Sequence, residues 1–308
     1  MIKQPAYLKK GDKVAIVCPA SRLPKPIDDA VAILTSWGLQ VEIGESVNAE
    51  YHQFAGDDAL RTKDLQHFLD DPDTKAIIAG RGGYGTIRII DELDFSAFKE
   101  NPKWIVGFSD ITVLLSHVYA QFGIQSIHGQ MPYTFDEATT ESINSLRNAL
   151  FSLSNEYNCN INPSGDGLPS KPAKNRVGEA SGVLVGGNLT LLVMTIGSAS
   201  EVDYTDKILF IEDIGERPAS IDRMMRMLKR AGKLAKLKGL IVGAFNELPQ
   251  EKIPFGQSIE EIIWDLVKEY NYPVCFNFSV GHINDNRAMV VGREFHLIID
   301  KDLVTGSC

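Results

Sequence analysis

The chain of 308 residues is poor in cysteine. Cys18, Cys159, Cys275 and Cys308 are scattered, and no two form a Cys-x-x-Cys pair. That spacing argues against a structural zinc site or a disulfide framework and fits a reducing compartment. Cys18 and Cys275 sit in apolar, strand-like runs, where small core residues are expected. No uninterrupted apolar run approaches the length of a membrane span, so no membrane partner is expected. Nothing long and apolar follows Met1-Ile2-Lys3-Gln4-Pro5, so no secretory signal is expected and the cytoplasm is the expected location. Positive charge is also short. The formal net charge is −9 and no basic patch stands out, which argues against a nucleic-acid surface. Internal repeats and low-complexity tracts are absent.

What remains is an ordinary globular composition, 44% hydrophobic and 23% charged, long enough for two domains. In the first half, strand-like runs alternate with helical spacing. Lys13–Cys18, Leu39–Ile43, Thr74–Ala79, Trp104–Val106 and Gln125–His128 read as strands. Residues near Ile27–Leu34, Leu60–Phe68, Ile87–Leu93, Ile111–Val118 and Ile143–Leu150 read as helices. This alternation predicts a doubly wound parallel α/β sheet, which holds its ligand at the carboxyl ends of the strands. Glu45–Asp57 is a long aperiodic loop of the kind that often carries function. Residues 156–175 are polar and turn-rich and read as a linker, dividing 1–155 from 176–308. The second half opens with a strand running into Gly186-Gly187-Asn188. A strand Lys207–Ile211 then ends in Glu212-Asp213, and Val290–Ile299 reads as a terminal hairpin turning near Gly292-Arg293.

Three stretches lie at the predicted ligand edge. In Trp104-Ile105-Val106-Gly107-Phe108-Ser109-Asp110 a strand runs into a helix beginning near Asp110. Such a corner can expose a serine nucleophile beside a helix N-terminus, and equally can place a serine or aspartate as a cap. Gly80-Arg81-Gly82-Gly83-Tyr84-Gly85 fits Gly-x-Gly-x-x-Gly between strand and helix, so a dinucleotide-binding protein is a reading to weigh. Against it, this is the third strand-to-helix turn, whereas that fingerprint occupies the first. Backbone N–H groups of such a turn can also hold an oxyanion. His128 ends the fifth strand.

A serine nucleophile needs a base and the base an orienting carboxylate. Of six histidines, His282 stands in a glycine-flanked loop, Val280–Asn286. His52, His67, His117, His128 and His296 lie elsewhere. Glu212, Asp213 and Glu216 are the candidate acids. Spacing alone does not choose among them.

Taken in order, Arg81-Gly82-Gly83-Tyr84-Gly85, Gly107-Phe108-Ser109-Asp110-Ile111-Thr112, His128-Gly129, Gly186-Gly187-Asn188-Leu189, Ile211-Glu212-Asp213 with Ile221-Asp222-Arg223, and Gly281-His282 resemble the LD-carboxypeptidase family of serine peptidases. The likeness runs over nearly the whole chain. It implies an α/β N-terminal domain and a smaller β-rich α/β C-terminal domain. It also implies Ser109 as nucleophile, His282 as base, Glu212 as orienting acid, and backbone N–H groups of Gly83 and Asp110 as the oxyanion hole. Asp110 is expected to cap its own helix as well. The order Ser…Glu…His is that of α/β-hydrolases, but Ile111 replaces the second glycine of their Gly-x-Ser-x-Gly. Gln130 stands where the family has proline.

The activity so implied is hydrolysis of the L,D-peptide bond that releases terminal D-alanine from a muropeptide tetrapeptide during cell-wall recycling. The partner is then a small peptide with a terminal D-amino acid, the protein a homodimer, and no metal or cofactor is implied. The family also includes microcin-C immunity peptidases, which cleave an amide in a peptidyl-nucleotide antibiotic. Because nucleophile and base come from different halves, a cleft between domains is expected, with closure relevant to rate.

Overall fold

The computed structural model describes residues 2–152, 156–160, 175–250, 252–300 and 303–307. Its strands are β1 (Lys13–Val17), β2 (Gln40–Ile43), β3 (Thr74–Ala79), β4 (Trp104–Gly107), β5 (Ser126–His128), β6 (Glu156–Asn160), β7 (Gly178–Asn188), β8 (Lys207–Ile214), β9 (Gly239–Asn246), β10 (Val274–Cys275), β11 (Met289–Val291), β12 (Glu294–Ile299) and β13 (Leu303–Ser307). The α-helices are α1 (Asp28–Ser36), α2 (Asp58–Asp70), α3 (Thr86–Ile89), α4 (Ser96–Glu100), α5 (Thr112–Phe122), α6 (Thr140–Phe151), α7 (Leu189–Met194), α8 (Pro218–Arg230) and α9 (Ile259–Val267).

The first sheet has the order β11-β5-β4-β3-β1-β2. Strands β1 to β5 are mutually parallel, and β11 adds antiparallel to the edge of β5. Its apolar runs are continuous because both faces are covered. Val14, Ile16, Ala76, Ile78, Trp104 and Val106 face α1 and α6. Ala15, Val17, Ile77, Ala79 and Ile105 alternate with them and face α2 and α5. Each large aliphatic side chain so buried contributes roughly 1.5–3 kcal/mol.

The second sheet runs β10-β9-β8-β7-β12-β13-β6. The four strands from β10 to β7 are parallel and the rest antiparallel. Helices α8 and α9 cover one face, with Ile221, Met225, Leu228, Ile263 and Val267 against Val185, Leu209, Ile211 and Leu240. On the other face Ile208, Phe210 and Ile241 share a core with Met289 and Val291 of β11.

Two expectations are corrected. Val290–Ile299 is not a hairpin: the chain does turn at Gly292-Arg293, but β11 pairs in the first sheet and β12 in the second. The reason is local. Gly292 N donates to Leu184 O and Leu184 N to Arg293 O, so the turn is pinned to β7 and redirects the chain. Within the stretch read as a linker, Glu156–Asn160 forms an edge strand paired to β13. Residues 161–174 lie outside the described residues. Cys18 and Cys275 are buried, as expected. Among the described residues no helix is long and apolar enough to cross a membrane.

Candidate active site

Ser109 follows β4 at the carboxyl edge of the first sheet, with φ of +63°. A non-glycine residue in the left-handed region is held there by its surroundings, and such strain clusters at functional corners. A 3₁₀ turn, Ser109–Ile111, precedes α5, and neither turn nor helix has a side-chain cap. Ser109 is therefore not a helix cap.

Asp110 is not a cap of its own helix either. Its carboxylate Oδ2 accepts from Thr86 N at 2.8 Å, so it caps α3, the short helix after the glycine turn. Burial pushes the Asp110 carboxyl above its ordinary range, against the Thr86 bonds that favour the anion. This also argues against a dinucleotide. The helix N-terminus that would receive a pyrophosphate already receives a carboxylate.

The glycine turn packs onto the serine. A Cβ on Gly82 would lie 2.8 Å from Ser109 Cβ and 3.1 Å from its Oγ, so only glycine permits this approach. Ser21, in the loop after β1, ties the turn down: its N–H donates to Gly82 O at 3.1 Å and its Oγ accepts from Tyr84 N at 3.2 Å. The buried Arg61 reaches the same turn, donating to Gly85 O at 3.0 Å and Pro19 O at 2.6 Å.

The acidic pair closing β8 is divided by the two-residue strand period. Asp213 turns to the helical side, where it accepts from Asn188 Nδ2 at 2.9 Å and from Thr190 N at 2.9 Å, capping α7. Glu212 turns to the other side. It is fully buried, and its Oε2 lies 2.7 Å from His282 Nδ1. Burial alone would raise the Glu212 carboxyl, but the charge and hydrogen bond of His282 hold it below its ordinary range. Burial likewise works to lower His282, and the Glu212 charge and hydrogen bond more than offset it, leaving the imidazole above its ordinary value. Phe108 packs edge-on against the His282 ring, centroids 4.9 Å apart, which brings that ring beside the residue preceding Ser109.

The His282 loop is held by the first unit as much as by the second. Thr139, the α6 N-cap residue, donates through Oγ1 to Asp285 Oδ1 at 2.9 Å and through its N–H to Asn284 O. Ser142 Oγ donates to Asn286 O at 2.7 Å. Gln130 Nε2 donates to Asn284 O at 3.1 Å, so the glutamine in place of proline is a tether of this loop. Two further residues escaped the sequence reading. Asn286 Oδ1 accepts from Gly281 N at 2.9 Å, and Asn246 Nδ2 donates to His282 O at 2.5 Å. Asparagines in loops carry no signal that separates such roles from ordinary turns. Two of the other histidines are committed elsewhere: His117 to Ser200 at 3.0 Å and His296 to Ser181 at 2.7 Å. His128 is buried beside the site.

A strained serine, a glycine turn against it and a buried carboxylate–imidazole pair are the parts of a serine hydrolase. Residues 14–129 match the LD-carboxypeptidase N-terminal domain and residues 181–297 the LD-carboxypeptidase C-terminal domain. A probable murein peptide carboxypeptidase of Bacillus subtilis is 34% identical over 94% of this chain and 89% of its own. The crystal structure of a muramoyltetrapeptide carboxypeptidase from Oxalobacter formigenes superposes with a TM-score of 0.82, 28% identity, and coverage of 96% of this chain and 98% of that one. The microcin C7 self-immunity protein MccF shares the fold, with a TM-score of 0.85 at 21% identity over 99% of this chain and 98% of its own. The chain belongs to the LD-carboxypeptidase family.

Proposed function

We propose that the protein is a serine carboxypeptidase that releases terminal D-alanine from muropeptide tetrapeptides by cleaving the preceding L,D-peptide bond, in the cytoplasm, during cell-wall recycling. The observation that carries this reading is the buried Glu212–His282 pair at 2.7 Å, set beside the strained corner of Ser109. The named activities of the Bacillus and Oxalobacter relatives support the substrate class.

In this reading His282 takes the Ser109 proton as Oγ attacks the scissile carbonyl. The Gly83 and Asp110 N–H groups receive the oxyanion. His282 then passes its proton to the departing D-alanine amine, and water resolves the acyl-enzyme with His282 as base again. Glu212 orients His282 and stabilises its cationic form. Resemblance also supports a homodimer, which the molar mass in solution would test.

The test is mass-spectrometric detection of D-alanine released from a tetrapeptide stem. Ser109→Ala should lose about three or more orders of magnitude in kcat. Near-normal turnover by that variant sinks the triad. The fold shared with MccF supports a second reading, cleavage of an aminoacyl-nucleotide amide. Faster turnover of an aminoacyl-sulfamoyl adenylate than of the tetrapeptide would favour it.

A further inference from the structure

His128 has no part in the chemistry proposed above, yet it lies against the triad. It ends β5, its backbone paired with Gly107 of β4 and Met289 of β11. The side chain is fully buried. Its ring is flanked by Phe108, 5.7 Å between centroids, and by Phe210, edge-on at 5.1 Å. Phe210 and Glu212 are two residues apart on β8 and share a face, so the ring packed on Phe210 also borders the carboxylate.

Neither ring nitrogen of His128 has a hydrogen-bond partner among the described residues, and neither has Glu212 Oε1. Glu212 Oε2 is committed to His282. Asn188 Nδ2 gives one N–H to Asp213 Oδ1 at 2.9 Å, and the same side chain also favours the charged form of Glu212. A neutral imidazole has one N–H to donate, and Oε1 is an acceptor. Leaving both unmade in an apolar pocket is costly.

We propose that His128 is a positioning residue of the triad, its ring N–H reaching Glu212 Oε1 through one bridging water, so that Oε2 stays on His282. The inference rests on the Ser109–Glu212–His282 reading. Burial, opposed by the Glu212 charge, pushes His128 down to about 4, so the ring is a neutral donor near neutral pH. The ionisable groups acting here are Glu212 and His282 on His128, Asp213 and Glu247 on His282, and Glu212 on Asp213. Phe108, Phe210 and Met289 complete the surroundings without charge.

Removing the donor leaves the carboxylate more basic, and the Glu212–His282 pair then holds its proton more tightly. His128→Phe should lower kcat about tenfold or more with little change in KM, and should move the acid limb of kcat/KM to higher pH. His128→Asn or His128→Gln, which keep an N–H donor, should restore at least part of both. A folded His128→Phe enzyme with wild-type kcat and pH profile overturns the inference, as does an equal loss in all three variants with the pH profile unmoved. If His128→Phe does not fold, nitrogen-15 spectra of the intact wild-type protein decide. A non-titrating ring with a slowly exchanging N–H between pH 5 and 9 supports the role, and a titrating ring overturns it. Ser109→Ala is the control: if it keeps activity, the underlying triad fails rather than the role of His128.

Discussion

A methyl group on Gly281 would lie 2.7 Å from Glu212 Cβ and 3.0 Å from Glu212 Oε2. The residue before the histidine is thus backed against the acid that the histidine pairs with. Its φ of +115° is also one that side chains rarely adopt. Both facts explain why the motif is Gly-His and not a histidine alone.

Gly281→Ala should therefore push the loop off Glu212 and weaken the bond to His282. Because the Glu212 charge holds the imidazole above its ordinary value, weakening it moves the acid limb of kcat/KM to lower pH. kcat should fall about 100-fold, as expected for misplacement near 1 Å. A pH–rate profile of the variant checks both effects. An unmoved limb with normal kcat would show that the pair tolerates the shift.

In the proposed mechanism of the wild-type protein, His282 must be neutral to act as base. Its raised value places the acid limb of kcat/KM above the ordinary histidine value of about 6.5. Stability follows a different window. The raised His282 contributes stability in full below about 6.5 and loses it as pH rises through the folded value, while the lowered Glu212 contributes above about 4.5 and loses it as pH falls. The Tm difference between wild type and Glu212→Gln should be largest between these limits and shrink where activity peaks.

Gly82→Ala tests the close approach to Ser109. The new Cβ would meet the serine Cβ at 2.8 Å, and either the turn or the serine must move. We expect kcat to drop about 100-fold with a Tm within a few degrees of wild type. Normal turnover would show that the turn yields without disturbing the nucleophile.

Lys103→Met tests a structural device away from the chemistry. The buried Lys103 Nζ donates to the Phe68, Leu69 and Asp71 carbonyls at 2.8, 2.9 and 2.6 Å, closing the C-terminus of α2 at the entrance to β4. Methionine fills the space and leaves those acceptors unmade. The loss should be about 2–3 kcal/mol, read as a lower Tm, with kcat at 25 °C close to wild type.

The first sheet was legible because its strands are apolar at consecutive positions, as Val14–Val17 and Ala76–Ala79 show, and burial on both faces leaves that signature in sequence. The corner of Ser109 was legible as a strand-to-helix junction, but its choice between cap and nucleophile was not. That depends on a backbone angle and on Gly82, which residue spacing does not encode. Asp110 was assigned to the helix it precedes because capping is local in sequence, whereas its partner Thr86 is near only in space. Glu212 and Asp213 were indistinguishable as a pair until the side of β8 on which each projects was known. The turn at Gly292 was found, but not the destination of its two strands, which is set by pairing with β5 and β7.

Strand β11 carries a consequence for how the molecule is made. The sheet bearing Ser109 keeps an open edge at β5 until Met289–Val291 arrives, more than half the chain later. Long-range pairings of this kind form late and slowly. The stretch that closes the edge follows His282 by a few residues, so during synthesis the edge strand and the imidazole emerge together. A nascent chain still lacking them has the serine corner but neither the proposed base nor its finished sheet, so on the proposed mechanism hydrolytic competence arrives only with completion of the fold.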